Sequence, residues 1–140
     1  SPGTPGSGVI VENLAKNGGL ERRVAGPLSY DLLVELLAGV LRQQALHNLE
    51  WILDDLTAVQ LGIDTAIDVR LAQAVGRYSV RDLRQLKVWC VVLPDSDARH
   101  PLVSFFDSLW HRGHTPVQLT ENHAAARVLL EKALDGQGPR

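Results

Sequence analysis

A hydroxyl and two carboxylates stand where a mostly apolar segment gives way to a predicted helix. Residues 51–63 are followed by Asp64 and Thr65 at the helix start, and Asp68 lies one turn further on. A phosphate on Thr65 would meet free backbone N–H groups and the positive end of the helix dipole, although Asp64 and Asp68 would repel it. Asp64 or Thr65 can also act only as the helix cap, which contributes about 1 kcal/mol. The segment therefore predicts either a cap alone or a regulatory contact surface.

Four arginines follow on the same predicted helix, and they share a narrow arc if that helix continues past Tyr78. They are Arg70, Arg77, Arg81 and Arg84. Planar guanidinium groups suit carboxylates and phosphates, so this basic stripe can contact an acidic partner or an anionic lipid head group. The same pattern is typical of a solvated helix face, particularly if Ser79 and Val80 end the helix.

Other candidate groups do not combine into a catalytic or metal site. Carboxylates follow two apolar runs, at Asp54 and Asp55 and again at Asp95 and Asp97, where they can bind Mg²⁺ or serve as loop residues and caps. The five histidines lack the spacing of a metal site, and no Gly-X-Ser-X-Gly motif supplies a nucleophile. We therefore predict a protein that is not an enzyme and that holds no metal or cofactor.

Composition and charge limit the class of protein. The chain has 140 residues, 45% of them hydrophobic, which suits one domain with a continuous core. A formal charge of −2 gives no electrostatic reason to expect nucleic acid as a partner. No apolar run reaches the roughly 18 to 20 residues of a membrane span, and no signal-peptide pattern opens the chain. We expect a cytoplasmic protein with one domain at residues 8–134, a disordered tail at residues 1–7 and a flexible tail at residues 135–140.

The first half of the chain predicts a hairpin, a helix and a third strand. Strands at residues 9–15 and 20–25 flank Asn17-Gly18, which is a strong turn signal. Ser29 is placed to cap a helix that ends near residue 46 and buries a leucine-rich face. Residues 49–54 form the third strand, and the helix that starts at Asp64 or Thr65 follows it.

The second half predicts two more strands, each followed by a helix. Residues 86–93 are almost uniformly apolar, which favours a strand in the middle of the sheet. Its cysteine, Cys90, is predicted to be a buried small side chain rather than a reactive thiol. Pro101 suits the first turn of a helix that ends near Gly113.

The chain ends in a short strand and a final helix. Residues 117–119 form the fifth strand, and the helix spans residues 121–134. Its side chains available to the core are Ala125, Val128, Leu129 and Ala133. The predicted order is ββαβαβαβα, an α/β fold in which helices pack against a mixed sheet of about five strands.

Several segments resemble the STAS domain family of bacterial anti-sigma-factor antagonists. Asp64-Thr65-Ala66-Ile67 aligns with the family's Asp-Ser-Ser-Gly segment, with Thr65 at the first hydroxyl position and Ala66 where the phosphorylated serine stands. Gly26-Pro27-Leu28-Ser29 is similar to the family's Gly-X-Leu-Thr/Ser helix start. Residues 88–92 and 105–109 resemble the SpoIIAA-like branch, whose fold is similar to that of CRAL-TRIO lipid carriers.

The resemblance implies a regulatory protein-interaction module. It implies a protein partner, such as an anti-sigma factor or a kinase-like regulator, at Asp64, Thr65 and the following helix. The likeness to CRAL-TRIO proteins implies an alternative, a carrier of a lipid or other apolar ligand. The candidate lining of such a carrier lies on the third helix, at Phe105, Phe106, Leu109 and Trp110. An exposed hairpin edge or Trp110 could also support a homodimer.

Overall fold

Five strands form one mixed sheet, in the order β1-β2-β3-β4-β5, within the part of the chain that the structure describes. The structure is a computed structural model and describes residues 8–62, 86–113 and 116–135. Its elements are β1 (Val9–Ala15), β2 (Gly19–Leu28), α1 (Tyr30–His47), β3 (Trp51–Leu61), β4 (Val88–Val92), α2 (Arg99–Gly113), β5 (Val117–Thr120) and α3 (His123–Asp135). β1 and β2 pair antiparallel, and the later strands pair in parallel. The predicted α/β architecture with a mixed five-stranded sheet is confirmed.

The first turn and the first helix form as their local chemistry predicts. Gly18 has a φ of 79°, in the left-handed region that glycine adopts readily, and it lies between β1 and β2. The Ser29 hydroxyl accepts a hydrogen bond of 3.0 Å from the N–H of Leu32 and so caps α1. Asn48 ends α1 in the left-handed conformation. No helix of the described residues is long and apolar enough to cross a membrane.

Helices cover the two faces of the sheet unequally. On the front face, α1 and α2 pack on side chains that include Leu20, Ile52 and Trp89. On the back face, α3 packs on side chains that include Trp51 and Cys90. α3 lies mainly over β3, β4 and β5, and it reaches β1 and β2 through side chains such as Ala15 and Glu21. The back face is therefore partly open.

Three strands differ from their predicted extent or place, and the first is β2, which continues to Leu28 instead of ending at residue 25. β3 continues to Leu61 instead of ending at Asp54, because its second half pairs in parallel with residues 25–28 of β2. β4 is buried at every position, as an apolar strand covered on both faces should be. The prediction that β4 is the middle strand was wrong, because β4 is fourth in order and β3 is central.

The orientation of α3 also differs from the prediction. The buried residues of α3 are Ala126 and Leu130, and Leu129 and Ala133 are partly buried beside them. Val128 is 62% exposed, and Ala125 is exposed as well. The prediction that these last two side chains face the core was wrong, since the stripe of α3 that faces the sheet is centred on Ala126 and Leu130.

Cys90 should be unreactive while the protein is folded. Its side chain is fully buried, and desolvation raises the pKa of the thiol to about 11. Because the thiolate is the reactive form, Ellman's reagent at about pH 8 should label Cys90 only after the chain opens. We expect labelling in concentrated urea to be faster by orders of magnitude, and rapid labelling of the folded protein would contradict this burial.

Candidate functional site

The carboxyl ends of four parallel strands meet at one edge of the sheet, where α/β proteins commonly bind their ligands and partners. Ser29 follows β2, Gly62 follows β3, Leu93 follows β4 and Glu121 follows β5. We call this the carboxyl edge. β3 ends there at Leu61, three residues before the sequence-predicted contact segment begins.

All of the residues predicted for the phosphate or partner surface and for the basic stripe lie outside the described residues. These are Asp64, Thr65, Asp68, Arg70, Arg77, Arg81 and Arg84. Their proposed roles as a phosphate or partner surface and as a basic stripe therefore remain predictions.

Hydrogen bonds fix the loops that form the described part of the carboxyl edge. The Ser96 hydroxyl donates to the carbonyl of Val59 at 3.0 Å and accepts from the N–H of Ala98 at 3.2 Å. Arg99, at the start of α2, forms an ion pair with Glu121 after β5. The hydrogen bond within this ion pair lowers the pKa of the Glu121 carboxyl and raises the pKa of Arg99. The loops after β4 and β5 are thus joined to each other.

Acidic side chains are exposed at the same edge. Asp95 and Asp97 lie in the loop after β4, and both are exposed. Within the described ranges, no group of three or more His, Cys, Asp or Glu side chains could hold a metal ion. The described part of the carboxyl edge is therefore an acidic protein surface.

Asp54 has a structural role that the sequence did not reveal. It lies inside β3, rather than at the end of the strand as predicted, and its side chain is fully buried. Arg22 donates from Nε to Asp54 Oδ1 at 2.7 Å and from Nη2 to Oδ2 at 2.6 Å. Trp89 Nε1 donates to the same Oδ2 at 2.8 Å. This carboxylate is fully occupied by protein donors and is not available to bind Mg²⁺.

The Arg22 guanidinium connects this network to the first helix. Its Nη1 donates to the main-chain carbonyl of Leu36 in α1 at 2.6 Å, and its Cζ lies 5.8 Å from the Trp89 ring centroid. One side chain thereby joins β2, β3, β4 and α1. A signal existed in the sequence, because Leu20, Arg22 and Val24 alternate along β2 and such alternation points all three to one face.

Asp55, the next residue, points to the back face and connects β3 to α3. It accepts hydrogen bonds from the N–H and the hydroxyl of Thr57 at 2.9 Å and 2.6 Å, and His123 Nε2 lies 2.8 Å from its Oδ2. Burial acts to raise the pKa of Asp55, but the hydrogen bonds from Thr57 and His123 outweigh it and hold the pKa below its usual value. Asp55 thus fixes the start of α3 against the sheet.

The four residues predicted to line an apolar ligand site divide between core and surface. Phe105, Phe106 and Leu109 are fully buried. The rings of Phe105 and Phe106 meet edge to face with centroids 4.9 Å apart, and Phe106 meets Trp89 in the same way at 5.6 Å. Trp110 is 45% exposed and lies with Phe106 beside a shallow cleft of about 280 Å³. Three of the four residues therefore contribute to core packing, and Trp110 forms part of a surface depression.

Comparison with solved structures identifies the fold. The chain is similar to the crystal structure of an anti-sigma factor antagonist from Mycobacterium paratuberculosis, with a TM-score of 0.53 and 14% sequence identity. The similarity covers 91% of this chain and 97% of the other. This chain has the STAS-type fold of an anti-sigma-factor antagonist. No family model matches the sequence, and no curated protein matches it.

The STAS-type fold confirms the architecture that the sequence resemblance implied. The described elements include the expected hairpin, parallel strands and final helix, and the match covers 91% of this chain. At this level of identity the similarity establishes the fold, and the function has to be argued from the sites.

Proposed function

We propose that this chain is a non-enzymatic regulatory module that binds a protein partner at its carboxyl edge. The observation that carries the proposal is the similarity to an anti-sigma factor antagonist across 91% of this chain and 97% of the other. The partner would be an anti-sigma factor, a kinase-like protein or another regulatory protein. The contact would include Asp64, Thr65 and the helix predicted to follow them.

Two features of the described residues support a contact at this edge. β3 ends at this edge at Leu61, three residues before Asp64 in the sequence, which supports a contact segment near the edge. The hydrogen bonds of Ser96 and the Arg99–Glu121 ion pair hold the neighbouring loops in place. A surface fixed before binding loses less conformational entropy when a partner docks.

Loss of the predicted contact groups should weaken partner binding. We expect Thr65→Ala and Arg77→Glu each to weaken binding by about tenfold or more, because polar and charged contacts at the centre of an interface carry much of its energy. The measurement is isothermal titration with each purified anti-sigma factor and regulatory kinase of the protein's own host. Thermal unfolding of each variant would verify that it remains folded.

Matched variants elsewhere on the surface provide the controls. Thr57→Ala removes a threonine hydroxyl on β3 that bonds only to Asp55 among the described residues. Arg42→Glu reverses an exposed charge on α1, where the Arg42 side chain is 58% exposed. Both should bind as the unmodified protein does. If the Thr65 and Arg77 variants also bind normally, or no host regulator binds, the proposal is wrong.

A lipid or apolar carrier is the second proposed function. The cleft beside Phe106 and Trp110 is the observation that favours it. Native mass spectrometry on protein purified from its own host separates the two functions, because it detects a bound protein, a phosphate or a lipid in one spectrum. A lipid-sized adduct would support the carrier, and a bound regulatory protein would support the interaction module. The same spectrum tests the homodimer that the exposed edge of β1 could form.

A further inference from the structure

The back face carries a cleft of about 490 Å³ that the proposed partner surface does not use. Its walls come from β1, β2, β3 and α3. It lies beside α3, over the part of β1 and β2 that α3 covers least among the described residues. Cavities of roughly 300 to 1,000 Å³ are typical of small-molecule sites, so this cleft is large enough for a small organic ligand.

The charged side chains of this cleft differ in whether they have a partner of opposite charge. Arg127 of α3 pairs with Glu21 of β2 at 2.8 Å, and both side chains are partly exposed. His123 lies against Asp55, as described above. Arg23 lines the same cleft and is exposed, yet it has no hydrogen-bond or ion-pair partner among the described residues. Within the part of the chain that the structure describes, the Arg23 guanidinium group is therefore available to receive an anion.

The position of Arg23 in the sheet brings it near the other groups of the cleft. In register, Arg23 lies beside Val11 of β1 on one side and Asp55 of β3 on the other. Asp55 forms no ion pair with Arg23, and its oxygens instead accept hydrogen bonds from Thr57 and contact His123. Asn13, the next back-face residue of β1, adds an amide that can donate to an oxyanion.

An apolar surface adjoins these polar groups. Val11 is 59% exposed, and Leu53 contributes to the cleft from β3. A typical small-molecule site combines such apolar walls with a few placed polar groups. The combination favours a ligand with one anionic group and one apolar part over a bare inorganic ion.

We propose that this cleft binds a small organic anion whose carboxylate or phosphate is held by Arg23 and Arg127 and whose apolar part rests on Val11. Guanidinium groups bind such oxyanions through two parallel hydrogen bonds. Glu21 competes with the ligand for Arg127, so binding exchanges the Glu21–Arg127 pair for a ligand–Arg127 pair.

Titrations with three simple probes test the site and identify its preferred anion. The probes are phenyl phosphate, benzoate and inorganic phosphate, each followed by ¹H–¹⁵N chemical shifts of the full chain. Phenyl phosphate or benzoate should bind at least about tenfold more tightly than inorganic phosphate, because only these two carry an apolar ring. The tighter of the two organic probes shows whether the cleft prefers phosphate or carboxylate.

Two variants should change the affinity in opposite directions. Arg23→Gln should weaken binding of the better organic probe by about tenfold, since a charge-assisted hydrogen bond is lost. Glu21→Gln should strengthen it severalfold, because Arg127 is released from its competing carboxylate. A gain in affinity cannot result from misfolding, so the second variant keeps the test clear even if the first is less stable.

Arg42→Gln is the matched control, because it removes an exposed arginine from α1, which packs on the front face. It should leave the affinity unchanged. The proposal is overturned if neither organic probe binds at about 10 mM, if Arg23→Gln binds normally, or if Arg42→Gln weakens binding equally. None of these substitutions falls on the carboxyl edge, so the result is independent of the partner-binding proposal.

Discussion

We expect Asp54→Ala to lower the free energy of unfolding by about 3 to 5 kcal/mol, because it leaves a buried guanidinium without its counterion. The Arg22 and Asp54 side chains are both completely buried, and they form two hydrogen bonds with each other. The substitution also removes the acceptor of Trp89 Nε1. In a chain of this size a loss of that magnitude removes a large part of the total stability. Urea unfolding followed by tryptophan fluorescence measures it.

The exposed pair between Lys87 and Glu50 provides the control. Their charged atoms are 2.9 Å apart, but the side chains are 39% and 48% exposed. Exposed ion pairs contribute roughly 0 to 1 kcal/mol. Glu50→Ala should therefore change the stability far less than Asp54→Ala. Equal losses in the two variants would show that the buried network has no special role.

Replacing both members of the buried pair should restore much of the lost stability. In Arg22→Met/Asp54→Leu no charge remains to be desolvated, and apolar replacements of similar volume are often tolerated. Trp89 Nε1 would still lack its acceptor, which costs about 1 to 3 kcal/mol. We therefore expect the double variant to be more stable than Asp54→Ala, yet below the unmodified protein. A double variant less stable than Asp54→Ala would contradict the argument from buried charge.

Gly19→Ala should be comparably damaging, for a steric reason. A β-carbon on Gly19 would lie 1.9 Å from Cζ2 and 2.0 Å from Cε2 of Trp51, its neighbour across the β2–β3 pair. Trp51 is only 3% exposed, so its ring has little room to move. Overpacking of a core costs about 1 to 3 kcal/mol and sometimes more, and we expect at least the upper value. Urea unfolding again provides the measurement.

Gly18→Ala is the comparison that separates the steric overlap at position 19 from the cost of a strained backbone conformation. Gly18 has a positive φ of 79°, but the nearest atom to a β-carbon there, Glu50 Cγ, is 3.5 Å away. The expected loss is about 1 to 2 kcal/mol, from the left-handed conformation alone. A second comparison uses Trp51→Leu, which opens space over position 19. In that background the cost of Gly19→Ala should shrink, and additive losses would rule out the steric explanation.

The sequence determined the local features of this protein because each depends on residues only a few positions apart. The turn at Gly18 requires a residue that tolerates positive φ, and the start of α1 requires a side chain such as Ser29 that can accept from a free N–H. The uniformly apolar run of β4 indicated a strand covered on both faces, as observed. The order of elements then limited the fold to a mixed sheet. The proposed contact at Asp64 and Thr65 rests on the same local kind of evidence.

Only the tertiary structure decided which distant groups meet. Arg22 and Asp54 are 32 residues apart in sequence, and their pairing depends on the register between β2 and β3. The same register extends β3 beyond Asp54, and the position of α3 leaves Val128 in solvent and opens the cleft around Arg23. Periodicity shows which face of an element is apolar, but it does not give register or helix placement, since these result from the packing of all elements together.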